Sequence, residues 1–137
     1  VAARRGAGIA TRLRGESGSA PAEFVMVSAL LSVLTLAVLQ LGLALHVRNT
    51  VQDAAAEGAR YGSLADSSLA AGVDRTRDLI STALGPGFAT DVTATTGTHL
   101  GYPAAEITVR TPLPLLGLVG IDDGLEVRGH AAIETLD

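Results

Sequence analysis

The stretch from Phe24 to Leu45, FVMVSALLSVLTLAVLQLGLAL, runs for 22 residues without a charged side chain. At 1.5 Å per residue a helix of that length reaches about 33 Å, enough to cross a hydrocarbon layer of about 30 Å. Its polar residues, Ser28, Ser32, Thr35 and Gln40, are scattered, whereas a helix buried in a soluble core shows one polar stripe. Their hydroxyls and amide can be satisfied along the helix itself or by a neighbouring helix. A secretory signal has a shorter apolar core, roughly 7 to 15 residues, followed by a small-residue cleavage site, and Leu43-Ala44-Leu45-His46 is not such a site. The stretch is predicted to span a membrane.

Charge on either side of the stretch sets its orientation. Residues 1–18 carry Arg4, Arg5, Arg12 and Arg14 against Glu16, a balance of +3, and the remaining residues carry six Arg against thirteen acids, a balance of −7. The overall −4 is the average of a basic head and an acidic body. Arginine-rich flanks stay on the cytosolic side, so the N-terminus is expected in the cytosol and the C-terminal part outside it. The basic patch is short and adjoins lipid-seeking sequence, which argues against a nucleic-acid surface.

Composition narrows the chemistry. The 137 residues include no Cys, which removes disulfide frameworks, thiol nucleophiles and Cys-ligated metals. All ten basic residues are Arg, so there is no P-loop lysine and no Schiff-base lysine. Hydrophobic residues make up 47% and aromatics only 3%, and the mean hydropathy is +0.37. The apolar content is therefore Ala, Leu and Val, which suits helix packing and not base stacking.

Beyond the apolar stretch the helical period continues. Leu43, Val47, Val51, Ala54 or Ala55, Gly58 and Tyr61 recur at three or four residues, and Asn49, Gln52, Asp53, Glu57 and Arg60 fill the other positions. The same helix is predicted to extend to about Gly62. Ala54, Gly58 and Gly62 form a small-residue row along which another helix can approach closely; the alternative is that the glycines merely weaken the helix near its end. A second helix is predicted from about Ser67 to Leu84, capped by Asp66 or Ser67 and ended by Gly85-Pro86-Gly87.

Period two then takes over. Asp91–Thr95 reads as a weak strand. Ala105, Ile107, Val109 and Thr111 alternate with Glu106, Thr108 and Arg110, and Leu125, Val127, Gly129, Ala131 and Ile133 alternate with Glu126, Arg128, His130 and Glu134. Pro112 and Pro114 are expected to close the middle strand, and Asp122-Asp123-Gly124 to turn into the last. The apolar Leu113–Ile121 segment between them is expected either to cover the sheet edge or to meet a partner. The predicted class is α+β: a long N-terminal transmembrane helix entering a small head with a second helix and an antiparallel sheet of about three strands. Three segments follow, a basic cytosolic leader over 1–18, the helix over 19–62 with its span at 24–45, and an extracytoplasmic head over 63–137.

One string remains, RGESGSAPAEFVMV. Gly18, then Ser19, then Glu23 as the fifth residue after the glycine, then Phe24 opening the apolar helix, resembles the site cut by prepilin peptidases of type IV pilus and Tad (tight adherence) systems. The segment Leu41–Gly62, with Arg48-Asn49, Val51, Ala54-Ala55 and Glu57-Gly58-Ala59-Arg60-Tyr61, resembles the characteristic stretch of TadE-like pilus-assembly proteins. The resemblance covers roughly Gly15 to Gly62. It implies a minor pseudopilin cut between Gly18 and Ser19, with prepilin peptidase, other pilins or pseudopilins and the membrane as partners. It implies a single-pass protein of the cell membrane that passes into a surface pilus after processing.

The residues give that resemblance a physical basis. A carboxylate at the mouth of the hydrocarbon layer is costly unless paired, and a new amino terminus at Ser19 of a neighbouring subunit would pair Glu23. Pro21 is tolerated in the first turn of a helix. No enzyme motif competes. His46, His99 and His130 lack partners at metal-ligand spacing, Asp122-Asp123 lacks the EF-hand pattern, and Ser67-Ser68 sits in no nucleophile motif. No catalytic residue, cofactor, metal, nucleic acid or small-molecule substrate is expected. The rival reading is an unprocessed membrane-anchored exported domain that binds an envelope or extracellular partner.

Overall fold

The computed structural model describes residues 18–115 and 119–135. The basic leader expected over residues 1–18 therefore lies, Gly18 apart, outside the described residues. Helix α1 (Ser19–Ser63) is followed by α2 (Leu69–Leu84), a 3-10 turn at Pro86–Phe88, and strands β1 (Asp91–His99), β2 (Tyr102–Leu115) and β3 (Val119–Ala132). The class is α+β as predicted, with a long apolar first helix, a second helix and a three-stranded antiparallel sheet in the order β1-β2-β3.

The chain divides into two compact units, Val1–Leu39 and Gln40–Asp137. The described part of the first is the opening of α1. Phe24, Met26, Leu30 and Leu39 each stand well over half exposed there, so none of the described residues covers this apolar surface. Hydroxyls are satisfied along the helix: Ser32 Oγ donates to the Ser28 carbonyl and Thr35 Oγ1 to the Leu31 carbonyl, both at 2.8 Å.

In the second unit the C-terminal part of α1 becomes a core element. Val47, Val51, Ala55 and Ala59 are buried and cluster with Ile80 of α2 and with Val92, Ile107, Val109 and Val127 of the sheet. Ile107, Val109 and Val127 belong to the apolar sets of the period-two alternation, and Val92 lies in the strand read as weak. The register stacks them: Val109 lies opposite Val92 and Val127, and Ile107 opposite Ala94 and Gly129. The core is built from Val, Ile and Ala, so helices and sheet meet at close range.

Gly129 shows how close. A Cβ there would collide with the carbonyl group of Ala55 on α1. Two backbones touch at that point, which only glycine permits. Helix α2 is capped by Ser68, whose Oγ accepts from the Ala71 amide at 3.1 Å; the cap falls one residue beyond the predicted Ser67. Gly85 closes the helix at φ +105. The β1–β2 turn is Leu100-Gly101, with φ 51 and 86, the double positive φ of a two-residue hairpin.

Two expectations about the sheet are corrected. Pro112 and Pro114 do not close the middle strand, and Asp122-Asp123-Gly124 is not a turn: β2 runs on to Leu115 and β3 begins at Val119, pairing Leu113 with Ile121, Pro114 with Gly120 and Leu115 with Val119. The register shifts between Thr111 and Leu113, so Pro112 falls on an irregularity. β1 stops pairing at Arg110, and past that residue β2 has β3 on one side only. Residues 112 and 114 direct their backbone to the same side, and a proline has no N–H to give to a ladder. Both are accommodated on the free edge.

Candidate functional site

Of the proposed processing string, Gly18 onward is described. Gly18 is in a turn, Ser19 is the first residue of α1, and Pro21 occupies the first turn, where its missing N–H has no intrahelical partner to lose. Glu23 is exposed one turn above Ser19, and Phe24, 74% exposed, opens the apolar run. The bond between Gly18 and Ser19 thus joins a turn to a helix.

The Ala54, Gly58, Gly62 row meets a helix of its own chain. Gly58 and Gly62 face Gly72 of α2: a Cβ on Gly58 would overlap Thr76 Oγ1 and stand 2.7 Å from the Gly72 carbonyl oxygen, and one on Gly62 would stand 3.3 Å from the Gly72 Cα. Thr76 is fully buried in this crossing and donates to the Gly72 carbonyl at 2.9 Å, with the Ala54 carbonyl at 3.4 Å. Gly72 was not singled out in the sequence. A glycine and a β-branched residue four apart on the inner face of a helix were the available signal.

Comparison with known families gives a match that starts at residue 18 and ends at residue 60, to the family described as TadE-like protein. Residues 18–60 are TadE-like. No curated protein and no solved structure matches the chain.

The TadE-like segment begins at the glycine of the processing string and stops two residues short of Gly62. Its side chains divide by depth. Val47, Val51, Ala54, Ala55, Gly58 and Ala59 are buried and build the core described above. Thr50, Asp53, Glu57 and Arg60 line an open groove of about 530 Å³ whose other wall includes Leu79 and Ala83 of α2. Much of the segment's pattern of small and apolar residues is thereby accounted for by folding. Among the described residues, the exposed polar residues of the groove and the exposed apolar residues of the first half of α1 have no such role.

Two side chains outside the predicted set close the edges of the sheet. Gln52 of the TadE-like segment donates from Nε2 to the Arg128 carbonyl of β3 at 2.9 Å, and Arg77 of α2 donates from Nη2 to the Val92 carbonyl of β1 at 3.3 Å. Each occupies an acceptor on an outer strand, where another strand could otherwise pair.

The wet face of the sheet carries a charged row. Arg128 contacts Glu126 at 2.8 Å and Glu106 at 3.4 Å, Arg110 reaches Glu126 at 3.0 Å, and His130 Nε2 lies 2.7 Å from Glu106 Oε2. The hydrogen bonds from Arg128 first and Arg110 second hold the Glu126 carboxyl below its ordinary range, and Glu126 in turn raises Arg128. His99 stacks on His130 with centroids 4.6 Å apart. Among the described residues no group of three or more His, Asp or Glu side chains is placed to hold a metal ion.

Proposed function

We propose that this chain is a minor pseudopilin of a Tad-type pilus or secretion assembly, made as a single-pass precursor and cut by prepilin peptidase between Gly18 and Ser19. The observation that carries the reading is the match itself: the TadE-like segment opens at Gly18 and runs unbroken through an exposed apolar helix. Its role is structural, through packing, with no reaction of its own.

Processing has a clear physical effect in this scheme. Residues 1–18 hold Arg4, Arg5, Arg12 and Arg14 on the cytosolic side and resist extraction of the helix. Their removal leaves a chain of side-chain balance −7 and creates an ammonium at Ser19. A positive charge at a helix N-terminus opposes the helix dipole, and Glu23 of an adjacent subunit offsets it when the two helices are in register. Gln40 Oε1 has no hydrogen-bond partner among the described residues and supplies a further polar contact for a neighbouring helix. The head lies on the extracytoplasmic side, where the mature chain joins other pilins or pseudopilins.

Intact-mass analysis of the chain from membranes containing an active prepilin peptidase tests the reading. It should begin at Ser19, and a Gly18→Ala variant should accumulate as the longer precursor. An intact arginine-rich N-terminus in such cells favours the unprocessed anchored domain instead. Glu23→Ala should be cut normally and fail to enter the assembly; normal assembly removes the register role of Glu23.

A further inference from the structure

We propose that His99 and His130 form an acid-operated clasp across the sheet, which holds the end of the β1–β2 hairpin in place while at most one of the two rings carries a proton and releases it when both do.

The clasp joins two strands that are not neighbours. His99 is the last residue of β1 and lies opposite Tyr102, and His130 of β3 lies opposite Glu106. Strand β2 runs between them. Neighbouring strands stand about 4.8 Å apart, so these two backbones are about 10 Å from each other. The rings nevertheless stack, with centroids 4.6 Å apart and planes 16° from parallel. They meet above Ala104, the β2 residue midway between Tyr102 and Glu106. Ala104 alternates with the inward Ala105 and so faces the wet side, yet it is only 2% exposed. A methyl at that position leaves room for two rings over the middle strand.

What the clasp holds is the least covered part of the sheet. From Thr95 to Gly101 every residue is exposed, and the outer edge of β1 pairs with no further strand. Among the described residues the ladder to β2 and the ring stack secure this end.

Charge around the rings sets the response to acid. Strand β2 contributes Glu106 and Tyr102, β3 contributes Arg128, and Glu134 follows on the same face beyond Ala132; Arg110 and Glu126 continue the row away from the rings, and β1 carries no charge between Asp91 and His99. Glu106 Oε2 lies 2.7 Å from His130 Nε2, while Glu106 Oε1 accepts from Arg128 Nη1 and Thr108 Oγ1, both at 3.4 Å. With neither ring charged, His130 donates from Nε2 to Glu106 and the stack stands. A first proton belongs on His130, where Glu106 balances it, and the neutral His99 ring then lies on a cation. A second proton must go to His99, which has no carboxylate within 4 Å among the described residues. Glu106 is already shared between Arg128 and His130 and cannot neutralise both rings. Two cations facing each other at 4.6 Å in water repel by about a factor of five in an equilibrium. His99, exposed and without a hydrogen bond of its own, is the ring that leaves, while Glu106 keeps His130. Imidazoles take up protons between about pH 8 and pH 5, so the clasp is closed at neutral pH and opens on acidification.

The test uses the full-length chain in neutral detergent, with ring-to-ring nuclear Overhauser contacts and amide exchange, corrected for its intrinsic pH dependence, measured at pH 7 and pH 5. A two-residue turn makes His99–Tyr102 a hydrogen-bonded pair, and Gly97–Ala104 is the next, so the Gly97 and His99 amides report the hairpin end. Their protection should fall about fivefold at pH 5 and the ring contacts should vanish, while the Ile107 amide in the core stays as protected as before. His99→Phe keeps a flat ring on His130 and removes the second charge, so its Gly97 protection should be the same at both pH values. In about 1 M salt the wild-type fall should shrink. Equal wild-type protection at pH 7 and pH 5 overturns the proposal, and so does a His99→Phe chain that loses protection as wild type does. A fall shared by Ile107 is general acid unfolding and equally overturns it, as does a fall indifferent to salt.

Discussion

Gly58→Ala is the most informative single substitution, because it asks whether the small-residue row of α1 serves this chain or another. In the open, replacing a helical glycine by alanine stabilises by up to about 1 kcal/mol. Here the added Cβ meets Thr76 Oγ1, the Gly72 carbonyl oxygen at 2.7 Å and Ile107 Cδ1 at 3.0 Å. Overpacking of this kind costs about 1–3 kcal/mol, and turning the fully buried Thr76 hydroxyl away from the Gly72 carbonyl leaves a polar pair unsatisfied for about 1–3 kcal/mol more. The net expectation is a loss of about 2–4 kcal/mol. For a unit of the size of Gln40–Asp137 that lowers Tm by roughly 10–25 °C. Hydrogen exchange of the β2 stretch Ala105–Thr111 in detergent-solubilised full-length chain, followed along a temperature ramp, reads the head without interference from the apolar helix. Gly97→Ala, which adds a methyl to open space on β1, serves as the control. A Gly58→Ala chain as protected as wild type would falsify the intramolecular crossing and hand the row to a partner helix. In the double variant Gly58→Ala/Thr76→Ala, about 1 kcal/mol of the loss should return, because the two changes share one clash.

Four further expectations follow from the same geometry. Gly129→Ala drives a methyl into the Ala55 carbonyl group, where neither backbone can rotate away, so it should destabilise at least as much as Gly58→Ala and yield mainly misfolded chain by size exclusion. Leu100→Asn puts a residue tolerant of positive φ into the hairpin turn and should raise the midpoint of thermal unfolding by a few degrees, an effect of about 0.5–1 kcal/mol. Gln52→Ala and Arg77→Ala each release an edge carbonyl; either should increase concentration-dependent self-association in light scattering, and the pair more than either alone. For Glu126 the sign is fixed by its lowered pKa: its contribution is present above the ordinary carboxylate range and is lost as pH falls through the lowered value, so Glu126→Gln should be slightly destabilising at pH 7 and neutral near pH 2. High salt should shrink the difference at pH 7, since the pair is exposed.

Elements with strong periodicity were legible in the sequence, and those defined by distant neighbours were not. The apolar run, the continuation of α1, the second helix and the inward residues Ile107, Val109 and Val127 follow from spacing alone. The hairpin end was misread because Pro112 and Pro114 end a strand only where both edges are paired, and nothing local reveals that β1 stops at Arg110. Asp122-Asp123-Gly124 has turn composition, yet it lies within β3, as a bulge facing Pro112 between the pairs Thr111–Leu125 and Leu113–Ile121. Ser68 displaced Ser67 as the cap, the ordinary uncertainty of one residue in choosing among adjacent serines. Gln52 looked like one more polar residue on an amphipathic helix; its partner is 76 positions away. At the candidate site, the proposed processing string could be picked out because its residues are consecutive. The destination of the glycine row was hidden, since Gly72 and Thr76 become its neighbours only after α2 folds back.

Helix α1 supplies exposed apolar residues in its first half and five residues of the core in its C-terminal part. A soluble head trimmed to start at Ser63 would lose Val47, Val51, Ala54, Ala55 and Ala59. The two valines alone represent about 3–6 kcal/mol, comparable with the whole stability of a small domain. The smallest piece able to fold must begin near Gln40 and carry part of the apolar surface with it.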